Sequence, residues 1–280
     1  MIFEEPAIFW SLVVLSGVLG TIIGSFLNVV VWRLPRGESV RYPGSACPKC
    51  GHPIRAWDNI PVWSWFILRG RCRDCSAPIS RRYPLVEAGT GVFFAAVAWW
   101  LLATLGLELP FAAFVLASLA YLYLAAISVA LALIDLDTHK LPNLIVLPAY
   151  VIGLVLLGAS SILAGDLGAL LRAVIGMAAM FVGYLVMVLV YPAGMGLGDV
   201  KLAGVLGLFL GWLGWGALLV GAFGAFLLGG IFAVALLLLR RANRKSGIPF
   251  GPWMLIGGWI GAVVGERIWQ AYLALFGLGI

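Results

Sequence analysis

The chain alternates long apolar blocks with short polar ones. Apolar residues dominate at about 7–31, 85–104, 110–134, 141–163 and 167–192. Each block is close to the ~20 residues that carry an α-helix across a hydrocarbon core. After Asp199 an apolar run of about 40 residues reaches Leu239, interrupted by Gly211 and Gly214. One helix cannot be that long inside a bilayer, so the pattern predicts a short and a long helix meeting near Gly214. A last run covers 250–276. Segments of this kind satisfy their backbone groups internally, which makes them spanning helices rather than barrel strands. The reading is an all-α polytopic membrane protein with about eight crossings. It places a first helix at 1–31, a polar insertion at 32–84 and a seven-helix membrane domain at 85–280.

Composition agrees. Of 280 residues, 63% are hydrophobic and 11% are charged, against roughly 25% charged in a soluble domain. Mean hydropathy is +1.07. These values exclude a soluble globular enzyme, a disordered chain and a disulfide-rich secreted module. The N-terminus reads Met-Ile-Phe-Glu4-Glu5-Pro6. It has no basic start and no small-residue cleavage site, so the first block is expected to remain as a span.

Charge orients the segments. The insertion 32–84 carries ten of the 18 basic residues, and the loop 240–249 adds Arg240, Arg241, Arg244 and Lys245. With eight crossings these two loops fall on one side with Lys140 and Lys201. Arg172 and Arg267 fall on the other. The positive-inside rule makes the basic side cytoplasmic. The excess basic charge is then an anchor at anionic lipid heads rather than a nucleic-acid surface.

The insertion holds all four cysteines, as Cys47-Pro-Lys-Cys50 and Cys72-Arg-Asp-Cys75. Two Cys-x-x-Cys turns at this separation suit one tetrahedral zinc ion. With four thiolate ligands the site would be structural, with no position open for catalytic water. A segment this short has little core, so the metal would supply much of its folding free energy. Two disulfides or a redox pair are the alternatives. The first conflicts with a reducing cytoplasmic side, and the second does not need two copies. His52 reads as a loop residue.

Carboxylates inside membrane segments cost about 2.5–3.5 kcal/mol each on insertion scales. Asp135 ends the third segment and Asp199 follows Gly194-Met-Gly196-Leu-Gly198. Two crossings separate them, so both return to the basic side. Two carboxylates sharing a site do not both ionise cheaply, and such a pair can act as acid and base on water. This is aspartyl-protease chemistry. Gly196 and Gly198 would let the backbone unwind to meet an extended peptide, and Lys201 would bias protonation of the pair or snorkel to the interface. Capping is the plainer role for Asp199. It does not serve Asp135, which faces the unfavourable end of a helix dipole. Asp137 reads as a solvated loop residue, and His139 and Lys140 as markers of the membrane surface. Glu87 has no evident partner, and Glu266 reads as a local pair with Arg267. Gly20-x-x-x-Gly24 and Asn28 read as helix-packing and interhelical hydrogen-bonding positions.

These blocks together resemble the bacterial type IV prepilin peptidases, membrane aspartyl proteases with a Gly-x-Gly-Asp signature. The resemblance runs from Gly24-Ser-Phe-Leu-Asn-Val-Val-Val-Trp-Arg-Leu-Pro35 through both Cys pairs, Asp58-Asn-Ile-Pro-Val-Trp-Ser-Trp65 and Ile79-Ser-Arg-Arg-Tyr-Pro-Leu-Val-Glu87. It continues through Leu141-Pro142-Asn143, Gly194 to Leu202, and Ile248-Pro249-Phe250-Gly251-Pro252. Where many members have Glu before the Gly-Met of the second motif, this chain has Ala193. The resemblance implies catalytic Asp135 and Asp199. It implies cleavage of prepilin or type II secretion pseudopilin leaders after a glycine at the cytoplasmic face of the inner membrane. It also implies S-adenosylmethionine-dependent N-methylation of the new N-terminus, for which no residue pattern here shows a site. A proton-coupled transporter using the two aspartates, or a zinc-anchored scaffold, are the readings from other classes.

Overall fold

The computed structural model of the chain describes residues 5–192, 194–239 and 249–277. Glu4, Ala193, Ile248 and the basic residues Arg240, Arg241, Arg244 and Lys245 lie outside the described residues. Among the described residues every regular element is helical, apart from two isolated β-bridges, Ala46 with Pro53 and Arg71 with Pro78. The chain divides into two compact units. One contains Met1–Glu108 and Leu122–Ala130, and the other contains Leu109–Tyr121 and Leu131–Ile280.

In the first unit, α1 (Pro6–Arg33) packs along α3 (Arg82–Ala103). Gly20 and Gly24 make that approach possible. A Cβ on Gly20 would lie 2.8 Å from the Thr90 carbonyl oxygen, and one on Gly24 would lie 2.8 Å from Glu87 Cα. Asn28 Nδ2 donates to the Tyr83 carbonyl across the same pair at 3.3 Å. Small residues and an interhelical hydrogen bond thus help to join these two helices, as they do where lipid supplies no hydrophobic driving force. Between them comes the polar segment, with the short helix α2 (Trp63–Ile67) near its middle. The single turn α4 (Leu105–Glu108) follows α3.

The long helix α5 (Phe111–Thr138) contributes its ends to the second unit. The remaining elements of that unit are α6 (Asn143–Ala164), α7 (Leu167–Val190), α8 (Leu197–Leu213), α9 (Trp215–Leu238) and α10 (Gly251–Ile260). A π-helical turn, Gly261–Gly265, runs from α10 into α11 (Glu266–Ala274). In α8 nearly every residue from Val200 to Trp212 is buried. A helix apolar on all sides belongs at the centre of its unit, and α7, α6, α9 and α10 all pack on it. The α7 contact again depends on glycine: a Cβ on Gly211 would lie 3.3 Å from Ala173 Cα. Buried hydrogen bonds pin the helices. Tyr121 Oη donates to the Phe209 carbonyl at 2.9 Å, Ser160 Oγ to the Ala113 carbonyl at 2.8 Å, and Trp212 Nε1 to Ser161 Oγ at 2.9 Å.

Six described helices are long and apolar enough to cross a membrane: α1, α3, α5, α6, α7 and α9. The expected count of eight is not confirmed. α8 has only 17 residues, and the last apolar run is broken by its π turn. The expected break near Gly214 is present, with Gly214 closing α8 and opening α9. Among the described residues Glu266 shows other partners than the Arg267 expected for it. Its Oε2 accepts from the Gly216 N–H at 3.1 Å and its Oε1 from Gln270 Nε2 at 3.0 Å. The first-turn N–H groups of α9 lack intrahelical acceptors, and this carboxylate serves one of them.

Candidate active site and metal centre

Asp135 lies on the buried stripe of α5. Ala117, Tyr121, Leu124, Ser128, Leu131 and Asp135 recur at helical spacing and are all buried, and only 5% of Asp135 is exposed. Three residues later the helix stops. His139 takes a left-handed conformation (φ 52°, ψ 39°), and its N–H returns to the Asp135 carbonyl at 2.8 Å. A carboxylate in a last turn meets the negative end of its own helix. The compensation comes from another helix. The N–H of Gly251, the first residue of α10, donates to Asp135 Oδ2 at 3.0 Å. This is the positive end of α10, where an anion is favoured. Gly251 is needed there, because a Cβ would lie 2.8 Å from Asp135 Oδ2. This donor was not expected from the sequence, although Pro-Phe-Gly-Pro before an apolar run is a recognisable helix start.

Asp199 is held differently. The cap of α8 is Gly196, in an extended conformation (φ −88°, ψ 156°), and Asp199 occupies the third helical position. The expected N-cap role of Asp199 is therefore corrected. Its Oδ2 reaches back to the Gly196 N–H at 3.1 Å. That is one half of a capping box, and glycine has no side chain for the other half. The same bond starts the helix early, so Gly198 is already helical. The unwound stretch that was expected over Gly196 and Gly198 ends at Gly196.

The connection between α5 and α6 joins the two aspartate positions. Leu141 touches both: a Cβ on Gly251 would lie 3.3 Å from Leu141 Cδ2, and one on Gly198 would lie 3.1 Å from Leu141 Cβ. Leu141 thus packs against both the residue that holds Asp135 and the residue that precedes Asp199. Lys201 Nζ donates to Asn143 Oδ1 at 3.0 Å, and Tyr150 Oη donates to the Lys201 carbonyl at 2.6 Å. Both bonds tie the start of α8 to α6. Asn143 belongs to the Leu141-Pro142-Asn143 block noted in the sequence, though its partner was not foreseen, and Tyr150 escaped the sequence reading because a phenol on an apolar helix looks like ordinary packing.

The cysteines form two turns with the same internal pattern. The Cys47 N–H donates to the His52 carbonyl and the Gly51 N–H to the Cys47 carbonyl, at 3.0 and 2.8 Å. The Cys72 N–H donates to the Ala77 carbonyl and the Ser76 N–H to the Cys72 carbonyl, at 2.8 and 2.9 Å. Gly51 and Ser76 both take positive φ, 71° and 58°, to make the turn. All four Sγ atoms lie within 4.8 Å of one another. Cys47 and Cys75 are 3.7 Å apart, close to the ~3.8 Å edge of a tetrahedron with 2.3 Å zinc–sulfur bonds. Backbone N–H groups of Cys50 and Lys49 hold the Cys47 thiol down to about 6. The Ala77 N–H acts the same way on Cys75, but burial and the other three sulfurs outweigh it and push that thiol up to about 12. A cation is what lets four crowded thiols ionise together. The donor set, its distances and its electrostatics fit a metal ion.

Two ion pairs join the second turn to residues 55–58. Arg73 grips Asp58 with Nε to Oδ2 at 2.8 Å and Nη2 to Oδ1 at 2.6 Å, and Arg55 Nη2 meets Asp74 Oδ1 at 3.1 Å. Arg73 holds the Asp58 carboxyl below its usual range. Glu87, which had no evident partner in the sequence, accepts the Val62 N–H at 2.6 Å. It thereby fastens the metal segment to α3 just before α2.

Two family profiles match the chain. The Bacterial Peptidase A24 N-terminal domain matches residues 18–101, and the Type IV leader peptidase family matches residues 122–234. The prepilin leader peptidase/N-methyltransferase of Aeromonas hydrophila is 41% identical, over 97% of this chain and 96% of its own length. Proteins of the same name from Pseudomonas aeruginosa and Neisseria gonorrhoeae are each 37% identical, over 92% of both chains. No solved structure matches. On full-length similarity at this level, the chain belongs to the type IV leader peptidase family.

Proposed function

We propose that this chain is a prepilin leader peptidase and N-methyltransferase, with Asp135 and Asp199 as its catalytic pair. One observation carries the assignment of the pair. Two otherwise costly carboxylates, from α5 and α8, converge on the same residue, Leu141, through Gly251 and Gly198, each with one oxygen held by a backbone N–H. That arrangement fixes both rotamers and leaves Oδ1 of each for water. In the reaction one aspartate takes a proton from water as it attacks the scissile carbonyl. The other, protonated, donates to the carbonyl oxygen and stabilises the tetrahedral intermediate. The proton taken from water then passes to the leaving amine as the C–N bond breaks. The extended backbone at Gly196 offers an edge along which a substrate strand would lie, with Gly198 in the adjoining turn. Lys201, fixed by Asn143, adds positive charge beside the pair.

The metal is zinc, bound by Cys47, Cys50, Cys72 and Cys75. Bound there it would be structural, with Cys47 and Cys50 of one turn and Cys72 and Cys75 of the other holding it and so keeping the two turns together. Methylation of the newly exposed N-terminal amine rests on the names of the relatives and uses S-adenosylmethionine as donor. The substrates are prepilins or pseudopilins, whose basic leaders remain on the cytoplasmic side while their apolar segments lie in lipid. The basic charge of the insertion supports a cytoplasmic orientation at the inner membrane for the metal segment and for the aspartates.

The test is cleavage of a prepilin-like substrate, with a basic leader, a glycine and an apolar helix, by the purified protein in lipid. Mass spectrometry of the product should show a new N-terminus after the glycine and, with S-adenosylmethionine, an added methylene. Absence of cleavage by folded protein across several such substrates contradicts the proposal.

A further inference from the structure

Tyr184 of α7 is 2% exposed. Its ring packs on Phe226 of α9, and Phe226 packs on Phe250, each pair with centroids 5.4 Å apart. Phe250 precedes Gly251, the residue whose N–H holds Asp135. The aromatic stack therefore ties Tyr184, through Phe226, to the start of α10. The second aspartate is reached through α8: α7 and α8 pack antiparallel with Arg172 against Gly211 and Gly176 against Gly207, and that register sets Tyr184 opposite Asp199. Yet among the described residues the Tyr184 hydroxyl is buried and has no hydrogen-bond partner.

Buried tyrosine hydroxyls ordinarily find a partner. If the role of Tyr184 were only packing, phenylalanine would do the same work without an orphaned O–H. Local rules broken without compensation tend to mark functional positions. The neighbouring groups do not supply the missing partner. Tyr150 of α6 is committed to the Lys201 carbonyl, and the Lys201 ammonium is committed to Asn143. α5 and its exit bring Asp135, Asp137, His139 and Lys140, while α9 and α10 bring no titratable side chain. The other charged residue of α7, Arg172, is 12 residues away along the helix, about 18 Å at 1.5 Å per residue.

We propose that Tyr184 is a positioning residue of the peptidase reaction, its O–H donating to the Asp199 carboxylate in the substrate complex. The hydrogen bond adds a charge-assisted donor opposite the Gly196 N–H. It orients Asp199 toward the water, and the phenolic proton stays on oxygen throughout. The inference rests on the aspartate-pair reading given above.

The experiment compares wild type with Tyr184→Phe in steady-state cleavage of the same prepilin-like substrate, with a thermal melt of each protein. The expected result is a kcat lower by about tenfold or more, the loss expected for one hydrogen bond to a charged group. KM should be unchanged, and the melting temperature unchanged or higher because a buried orphan is removed. An unchanged kcat overturns the inference while wild-type cleavage leaves the peptidase reading intact. A kcat that falls only in step with melting temperature also overturns it, because that is the behaviour of a packing residue. A folded wild type that cleaves nothing removes the peptidase reading itself, and this inference with it.

Discussion

Replacing Gly251 with alanine tests how the buried aspartate is held. The added Cβ would sit 2.8 Å from Asp135 Oδ2 and 3.3 Å from Leu141 Cδ2. Ordinary van der Waals contact begins at 3.4 Å, so the carboxylate oxygen must retreat by 3.4 − 2.8 = 0.6 Å. That retreat breaks or lengthens the 3.0 Å bond from the Gly251 N–H. A hydrogen bond to a charged group contributes about 1.5–3 kcal/mol, which is roughly 10- to 150-fold in rate if the bond is needed in the transition state. A misplacement approaching 1 Å of a reacting group costs up to about a hundredfold by itself. Gly251→Ala should therefore lower kcat by one to two orders of magnitude in detergent or proteoliposomes. Gly230→Ala is the control, because a Cβ there meets nothing within 4 Å. It should leave kcat unchanged and slightly raise stability. Wild-type kcat in Gly251→Ala, with the protein folded, refutes the claim that this helix terminus positions Asp135.

The wild-type chain should carry about one zinc ion by elemental analysis, and Cys72→Ser should lose it and open residues 40–80 to limited proteolysis. Glu87→Ala should loosen the same segment by removing the acceptor for the Val62 N–H, whereas Glu87→Gln, which keeps an oxygen there, should stay near wild type in hydrogen exchange at Val62. The Asp58–Arg73 pair makes a pH-dependent contribution. Because the folded carboxyl is held below its ordinary value, that contribution is present in full at neutral pH and is lost as pH falls below about 4. Amide protection of the second cysteine turn should accordingly be higher in wild type than in Asp58→Asn at neutral pH, and the difference should vanish in acid; a gap that persists unchanged to low pH would show the pair is not its source.

The helical architecture was readable because a bilayer demands long apolar segments, and glycine-broken runs then mark their ends. Gly214 divides α8 from α9 as its position in the apolar run implied. The cysteine cluster was readable because metal ligation needs a fixed spacing. What the chain did not disclose were partners far apart in sequence. Asp135 and Gly251 are separated by 116 residues and Glu87 and Val62 by 25, and nothing in local periodicity pairs a carboxylate with one particular N–H. The start of α8 was misjudged for a local reason. Asp199 suggests a cap by composition, but its carboxylate reaches back from the third helical position to Gly196. Tyr184 was invisible for the opposite reason, because a tyrosine in an apolar helix looks like core until its hydroxyl is found without a partner.

The most direct test of the account is cleavage by Asp135→Asn and Asp199→Asn, each purified in lipid beside wild type, with product N-termini read by mass spectrometry. Asparagine preserves size and can still accept the Gly251 or Gly196 N–H through its amide oxygen, so each variant should fold and melt like wild type. The account predicts cleavage after the glycine by wild type and none by either variant. Cleavage retained in either folded variant would remove that residue from the pair and contradict the mechanism.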